Sequence, residues 1–230
     1  MLYNCSAYVE FNNGVKVAKG NVTEVGLINY LIASKIDTES ILNSKQESIL
    51  ISIPFNSTRK RATTAVSHSE RVIRVFVKGA PDILIDKCTK MFDDKGNEVD
   101  ISVDKKTEML GEKIIKAFAS KCYRTLMVAY ADIDVEEWER LKREHNNFES
   151  VEDRECIETN LTMVGIFALM DPLRPGIREA VQKCHKSGIN VRMVTGDFLD
   201  TAMAISKEAG IITAEDLANN EDGYLCMTGA

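Results

Sequence analysis

The first half of the chain alternates hydrophobic and polar positions in short runs. Ile49, Ile51 and Ile53 alternate with Ser48 and Ser52, which predicts a half-buried strand ended by Pro54. Residues 61–67 and 71–77 read as two more strands. Val25, Ile28 and Ile32 share one face of a helix that follows a turn at Gly20–Glu24, with Thr23 as its expected cap. Pro81 suits the first turn of a helix running to about Cys88, and Asp93–Asn97 reads as a turn. Leu110, Ile114 and Phe118 lie four apart on one stripe, so residues 103–121 are expected to be helical. A strand over 124–131 and a helix over 134–148 follow, and Glu149–Thr159 is a charged connector without periodicity.

The pattern then changes. Leu161–Met170 is a nearly unbroken apolar run, the mark of a strand buried on both faces. Ile177, Ala180, Val181 and Cys184 form an amphipathic stripe closed by Gly188. Val191–Val194 reads as a short buried strand, with a further helix to about Ala209. Strand, loop and helix occurring twice predict a parallel, doubly wound sheet. The expected division is therefore 1–160 and 161–230.

Composition narrows the function. The net charge is −6, and the only local basic cluster is Arg59-Lys60-Arg61, so a general nucleic-acid binder is not expected. Six cysteines without any CxxC spacing suggest neither a metal site nor a redox dithiol, and free thiols fit a reducing cytosol. No apolar run reaches the roughly 20 residues that span a bilayer, and no signal peptide is visible.

The candidate chemistry sits at strand ends. In doubly wound sheets ligands bind beyond the carboxyl ends of strands, where Asp171-Pro-Leu-Arg174 and Thr195-Gly196-Asp197 fall. A threonine hydroxyl with amides at a helix start can hold a phosphate; the same residues also serve as ordinary caps. Lys78-Gly79 ends a strand and offers a point charge beside an open backbone, or a solvated lysine before a turn. Phe55 sits in a polar stretch beside Arg59 and Lys60, placed to stack on a base or to fill a core. Arg124 and Leu126 point the same way on their strand, as a nucleotide clamp or an edge pair.

Their joint order is more specific than any one of them. Gly20-Asn-Val-Thr-Glu24, Phe55-Asn-Ser-Thr-Arg-Lys60, Lys78-Gly-Ala-Pro, Arg124-Thr-Leu, Asp171-Pro-Leu-Arg-Pro and Met193-Val-Thr-Gly-Asp197 together resemble the P-type ATPase family across nearly the whole chain. Arg-Thr-Leu-Met-Val-Ala-Tyr and Gly-Ile-Asn-Val-Arg-Met-Val-Thr-Gly-Asp look most like the plasma-membrane type of calcium pump, while Phe-Asn-Ser-Thr is also similar to sodium/potassium pumps. The resemblance implies an α/β fold. A nucleotide-binding domain with a largely antiparallel sheet flanked by helices would occupy 1–160, and part of a haloacid-dehalogenase-like phosphorylation domain 161–230. It implies ATP as ligand and Mg²⁺ in the parent protein. It also implies actuator, phosphorylation and transmembrane domains of the same chain as partners, and a place on the cytosolic face of a membrane without direct membrane contact. Phe55 would stack on adenine, Glu24 would lie near its amino group, and Lys60, Lys78 and Gly79 would line the pocket. Arg124 would reach toward the phosphates, with Leu126 beneath the base. Thr195, Gly196 and Asp197 would close over the transferred phosphate, with Asp171 and Arg174 on the hinge side.

Three departures stand out. Ser57 replaces an arginine found in several calcium pumps, Phe198 replaces the usual asparagine after Thr-Gly-Asp, and no Asp-Lys-Thr-Gly-Thr-Leu-Thr segment is present. Without that aspartate the chain is expected to position ATP and not to turn it over. Competing readings are a free-standing haloacid-dehalogenase phosphatase, which requires an Asp-x-Asp or Asp-x-Thr nucleophile, and a scaffold without ligand.

Overall fold

A computed structural model describes residues 2–12, 15–44, 48–110, 114, 117–119, 123–170, 173–195, 199–219 and 225–227. A short hairpin of β1 (Tyr8–Asn12) and β2 (Val15–Lys19) precedes α1 (Val22–Ala33) and α2 (Thr38–Ser44). Three antiparallel strands follow: β3 (Ile49–Asn56), β4 (Arg61–Ser67) and β5 (Val72–Gly79). Then come α3 (Pro81–Leu84), β6 (Cys88–Phe92), β7 (Glu98–Asp100), α4 (Val103–Leu110) and α5 (Ala117–Ala119). The remaining elements are β8 (Tyr123–Asp134), α6 (Val135–Glu144), β9 (Leu161–Met170), α7 (Ile177–Lys186), α8 (Leu199–Ala209) and α9 (Ala214–Ala218).

Seven strands form one sheet in the order β3-β4-β5-β8-β9-β6-β7. Its pairing is mostly antiparallel, and β6 runs parallel to β9. This mixed α/β architecture, with a largely antiparallel sheet and flanking helices, matches the expected fold class. The chain packs as two compact units: residues 1–107 with 126–167, and residues 108–125 with 168–230.

The core of the first unit follows the strand period. Ile73, Val75 and Val77 of β5 are buried, and Met127 and Ala129 of β8 are fully so. Leu84, Ile85, Cys88 and Leu161 are also sealed from solvent. Each such aliphatic side chain contributes roughly 1.5–3 kcal/mol on leaving water. Asp134 caps α6 by accepting the Glu136 amide at 2.8 Å, and Trp138 meets Phe148 edge-on at 5.1 Å. That helix ends at Glu144 and not at 148, because Asn146, Asn147 and Phe148 adopt positive φ in a separate 3-10 turn.

Three further expectations change. The strand at Pro54 continues to Asn56, because β3 is an edge strand and a proline there costs no ladder bond on its open side. Leu161–Met170 is a strand, but only Leu161–Met163 are buried; Val164 and Met170 are about half exposed. It adds to the seven-stranded sheet through Cys88–Met91 and does not open a separate one. Val191–Val194 is not a strand, and Val194 is 97 % exposed. A short parallel strand needs a paired neighbour to fix it, and none pairs with it among the described residues. Of the expected helix over 103–121, α4 and α5 are seen, and residues 111–113, 115–116 and 120–121 lie outside the described set.

Candidate functional site

Lys78 is the next-to-last residue of β5 and is 8 % exposed. Strand alternation puts it on the face opposite Val75 and Val77, in line with Phe76. A buried ammonium needs acceptors, and Lys78 Nζ donates to the Asn4 carbonyl and to the Glu24 carboxylate. Asn4 is itself anchored, since its Nδ2 donates to the carbonyls of Ala62 at 2.7 Å and Phe76 at 3.1 Å. Tyr3 stacks on Phe76 at 5.5 Å.

Glu24 lies in the first turn of α1, where the helix dipole favours a carboxylate. The cap of this helix is Asn21, whose side chain accepts the Thr23 amide at 3.0 Å, so Thr23 is not the cap. One Glu24 oxygen takes Lys78. The other accepts the Ser6 amide at 2.9 Å, the Ser6 hydroxyl at 2.6 Å and the Ala7 amide at 3.0 Å. Burial alone pushes the Glu24 carboxyl up, but hydrogen bonds from Lys78 and Ser6 prevail and hold it at about 2. Gly20 permits this approach of the N-terminal segment, because its φ is +131° and a Cβ there would lie 2.8 Å from Ala7 Cα.

The second element is the turn between β3 and β4. Phe55 is 62 % exposed, and Ser57 and Lys60 are exposed as well. Lys60 adopts a left-handed φ of 51°, with its amide on the Asn56 carbonyl at 2.7 Å. Asn56 Oδ1 accepts the Thr58 amide at 2.7 Å. Gly79 packs against this turn so closely that a Cβ would lie 2.5 Å from the Lys60 carbonyl oxygen. The register pairs Arg61 with Gly79 and Gly79 with Met127. The turn, the end of β5 and half-buried Leu126 therefore share one end of the sheet.

The other expected residues belong to the second unit or lie outside the described set. Arg124 is exposed on β8 in the second unit, and Arg174 and Thr195 are exposed there too. Asp171, Gly196, Asp197 and Phe198 lie outside the described residues.

Sequence reasoning missed two groups. Asn4, Ser6 and Ala7 complete the Lys78–Glu24 pair from a segment with no readable motif. Glu155 and Glu158, from the charged connector, take up Arg59 and Arg61 of the basic cluster. Their spacing of three was the one local signal that they act on one side of the chain. Among the described residues no group of three or more His, Cys, Asp or Glu side chains comes together to hold a metal ion. Cys88 is pushed up to about 11 by burial and is an inert core thiol.

One end of the sheet of this α/β domain thus carries an exposed aromatic, an exposed lysine and a largely buried lysine–glutamate pair. The description "P-type ATPase, cytoplasmic domain N" matches residues 1–176, and the chain belongs to the P-type ATPase family. Three relatives sharpen this. The rice "Calcium-transporting ATPase 3, plasma membrane-type" is 37 % identical over 86 % of this chain and 18 % of its own length. The human "Plasma membrane calcium-transporting ATPase 4" is 32 % identical over 96 % of this chain and 16 % of its own length. The Arabidopsis thaliana "Calcium-transporting ATPase 4, plasma membrane-type" is 34 % identical over 93 % and 19 %. The chain thus spans under a fifth of the length of these relatives. No helix among its described residues is long and apolar enough to cross a membrane.

Proposed function

We propose that this chain is the ATP-binding module of a cation-transporting P-type ATPase, with calcium as the cargo of the parent protein. The observation that carries the reading is the meeting at one sheet end of the Glu24–Lys78 pair with the Phe55–Lys60 turn and Leu126. Phe55 presents an open ring on which adenine stacks. Glu24 Oε1, which among the described residues accepts from Lys78, has a second lone pair to offer the adenine amino group. Lys78 and Lys60 supply positive charge, Gly79 lets the turn close against the end of β5, and Leu126 supports the base. Ser57 adds only a hydroxyl where an arginine would add a charge. Arg124 serves the phosphates.

In this reading residues 1–160 form the nucleotide-binding domain, and 161–230 contribute part of the phosphorylation domain. Thr195, Gly196 and Asp197 face the transferred phosphate there, and Asp171 and Arg174 belong to the hinge side. The aspartate that receives the phosphoryl group lies elsewhere in the parent, as do the actuator and transmembrane domains. Mg²⁺ accompanies ATP there and neutralises its phosphates. The cytosolic face of a membrane is the corresponding location. The relatives named for calcium transport favour that cargo over sodium or potassium.

Titration of the 230-residue chain with ATP and AMP, followed by heteronuclear NMR, tests the reading. With much of the phosphate site supplied from elsewhere, affinity is expected near millimolar, about −4 to −5 kcal/mol. Shifts should concentrate at Phe55, Lys78 and Glu24. Resonances there that stay still at high nucleotide would sink it.

A further inference from the structure

The turn that carries Phe55 and Lys60 is held by an acidic residue 99 positions after Arg59. Arg59 donates through Nε to Glu155 at 3.1 Å and through Nη2 to Glu158. Arg61 donates through Nε to the second Glu158 oxygen at 2.5 Å and through Nη2 to Glu155 at 2.8 Å. Its Nη1 reaches back to the Arg59 carbonyl at 3.1 Å, and Thr63 Oγ1 also donates to Glu158. The Glu158 side chain is fully buried, those of Arg59 and Arg61 are 10 % and 7 % exposed, and that of Glu155 is 43 % exposed.

Two guanidiniums and two carboxylates cancel in charge, yet burying them carries a desolvation cost that apolar packing would avoid. What the network achieves is conformational. Arg59 and Arg61 flank Lys60, and both turn inward to Glu158, which leaves the Lys60 side chain exposed between them. The Lys60 backbone is held left-handed, a conformation that a non-glycine residue keeps only when its surroundings impose it. Its amide is tied to Asn56, its carbonyl takes the Ala80 amide at 3.0 Å, and Gly79 packs against it.

We propose that Glu158 is a positioning residue of the nucleotide site: by anchoring Arg59 and Arg61 it imposes the strained 56–60 turn that presents Phe55 and Lys60 to the ligand. This rests on the ATP-binding reading above. Glu158 acts through the two arginines and does not touch the nucleotide. Glu155 reinforces the same hold from its half-exposed position.

The test uses the 230-residue chain with Glu158→Gln, and Glu155→Gln as the milder variant should the first fail to fold. ATP affinity, thermal unfolding and hydrogen exchange of the Lys60 amide are read for each. Glu158→Gln should weaken ATP roughly tenfold and Glu155→Gln about two- to threefold, and both should speed exchange at Lys60 more than at Val77. The effect on affinity should largely vanish when Phe55 and Lys60 are both alanine, because Glu158 then has nothing to position. A role in stability alone would lower the melting temperature and add in full to the alanine background, which overturns the proposal. Unchanged affinity in the folded variants overturns it as well. If the unaltered chain itself shows no ATP response, the nucleotide reading fails and this one with it.

Discussion

Lys78 and Glu24, 54 residues apart in sequence, form an ion pair whose side chains are only 10 % and 14 % exposed. The pair joins the end of β5 to the first turn of α1, and Asn4, Ser6 and Ala7 close around it.

The pair should govern acid stability. Glu24 titrates near its ordinary 4.5 when unfolded and at about 2 when folded. A depressed folded pKa contributes stability that is present above the unfolded value and is lost as pH falls toward the folded one. With part of the carboxylate open to solvent screening, the contribution is on the order of 1–2 kcal/mol. Glu24→Gln should therefore be less stable than the unaltered chain at neutral pH, and the gap should close between about pH 5 and pH 2. Urea unfolding at several pH values checks this; a gap constant across that window would count against it.

Phe55→Ala should separate binding from folding. With its ring 62 % exposed, little packing is lost, and the melting temperature should barely move. ATP affinity should fall by roughly 1–3 kcal/mol, the scale of base–aromatic stacking. A large drop in melting temperature with unchanged affinity would show that the ring serves the core.

Gly79→Ala should be costly for a reason unrelated to backbone freedom. Its Cβ would lie 2.5 Å from the Lys60 carbonyl oxygen and 2.7 Å from Arg61 Cβ. Relief requires β4 or the turn to shift, at about 1–3 kcal/mol for such overpacking. Because the turn moves, ATP affinity should fall together with the urea midpoint.

Turnover is expected to be absent. The sequence holds no Asp-Lys-Thr-Gly segment to accept a phosphoryl group. A phosphate-release assay on the 230-residue chain should stay at background, and hydrolysis that survives purification but disappears with Asp197→Asn would refute this.

Hydrogen exchange should differ along the chain. Val75 and Val77 of β5 are fully buried, whereas Ile189 and Val194 in the second unit are 56 % and 97 % exposed. Amides over 173–195 should exchange well before those of β5, tracking the local opening that sparse burial permits. Equal protection would argue that the second unit is as well packed as the first.

The sequence by itself was enough for what local order encodes. Alternation named β3, residues 61–67 and 71–77 read as strands where β4 and β5 form, Pro81 marked the start of α3, and the succession from Glu24 through Phe55, Lys60 and Lys78 to Arg124 pointed to the family. Tertiary structure decided what depends on partners far along the chain. An apolar run such as Leu161–Met170 announces a strand, but which sheet it enters is set by pairing with Cys88–Met91. Val191–Val194 carries a strand-like run, and among the described residues no strand pairs with it to hold it extended. Arg59-Lys60-Arg61 looked like one basic cluster. Folding sends the outer two to Glu155 and Glu158 and leaves the middle one exposed, because a buried guanidinium must meet a carboxylate and only the fold determines which one is near.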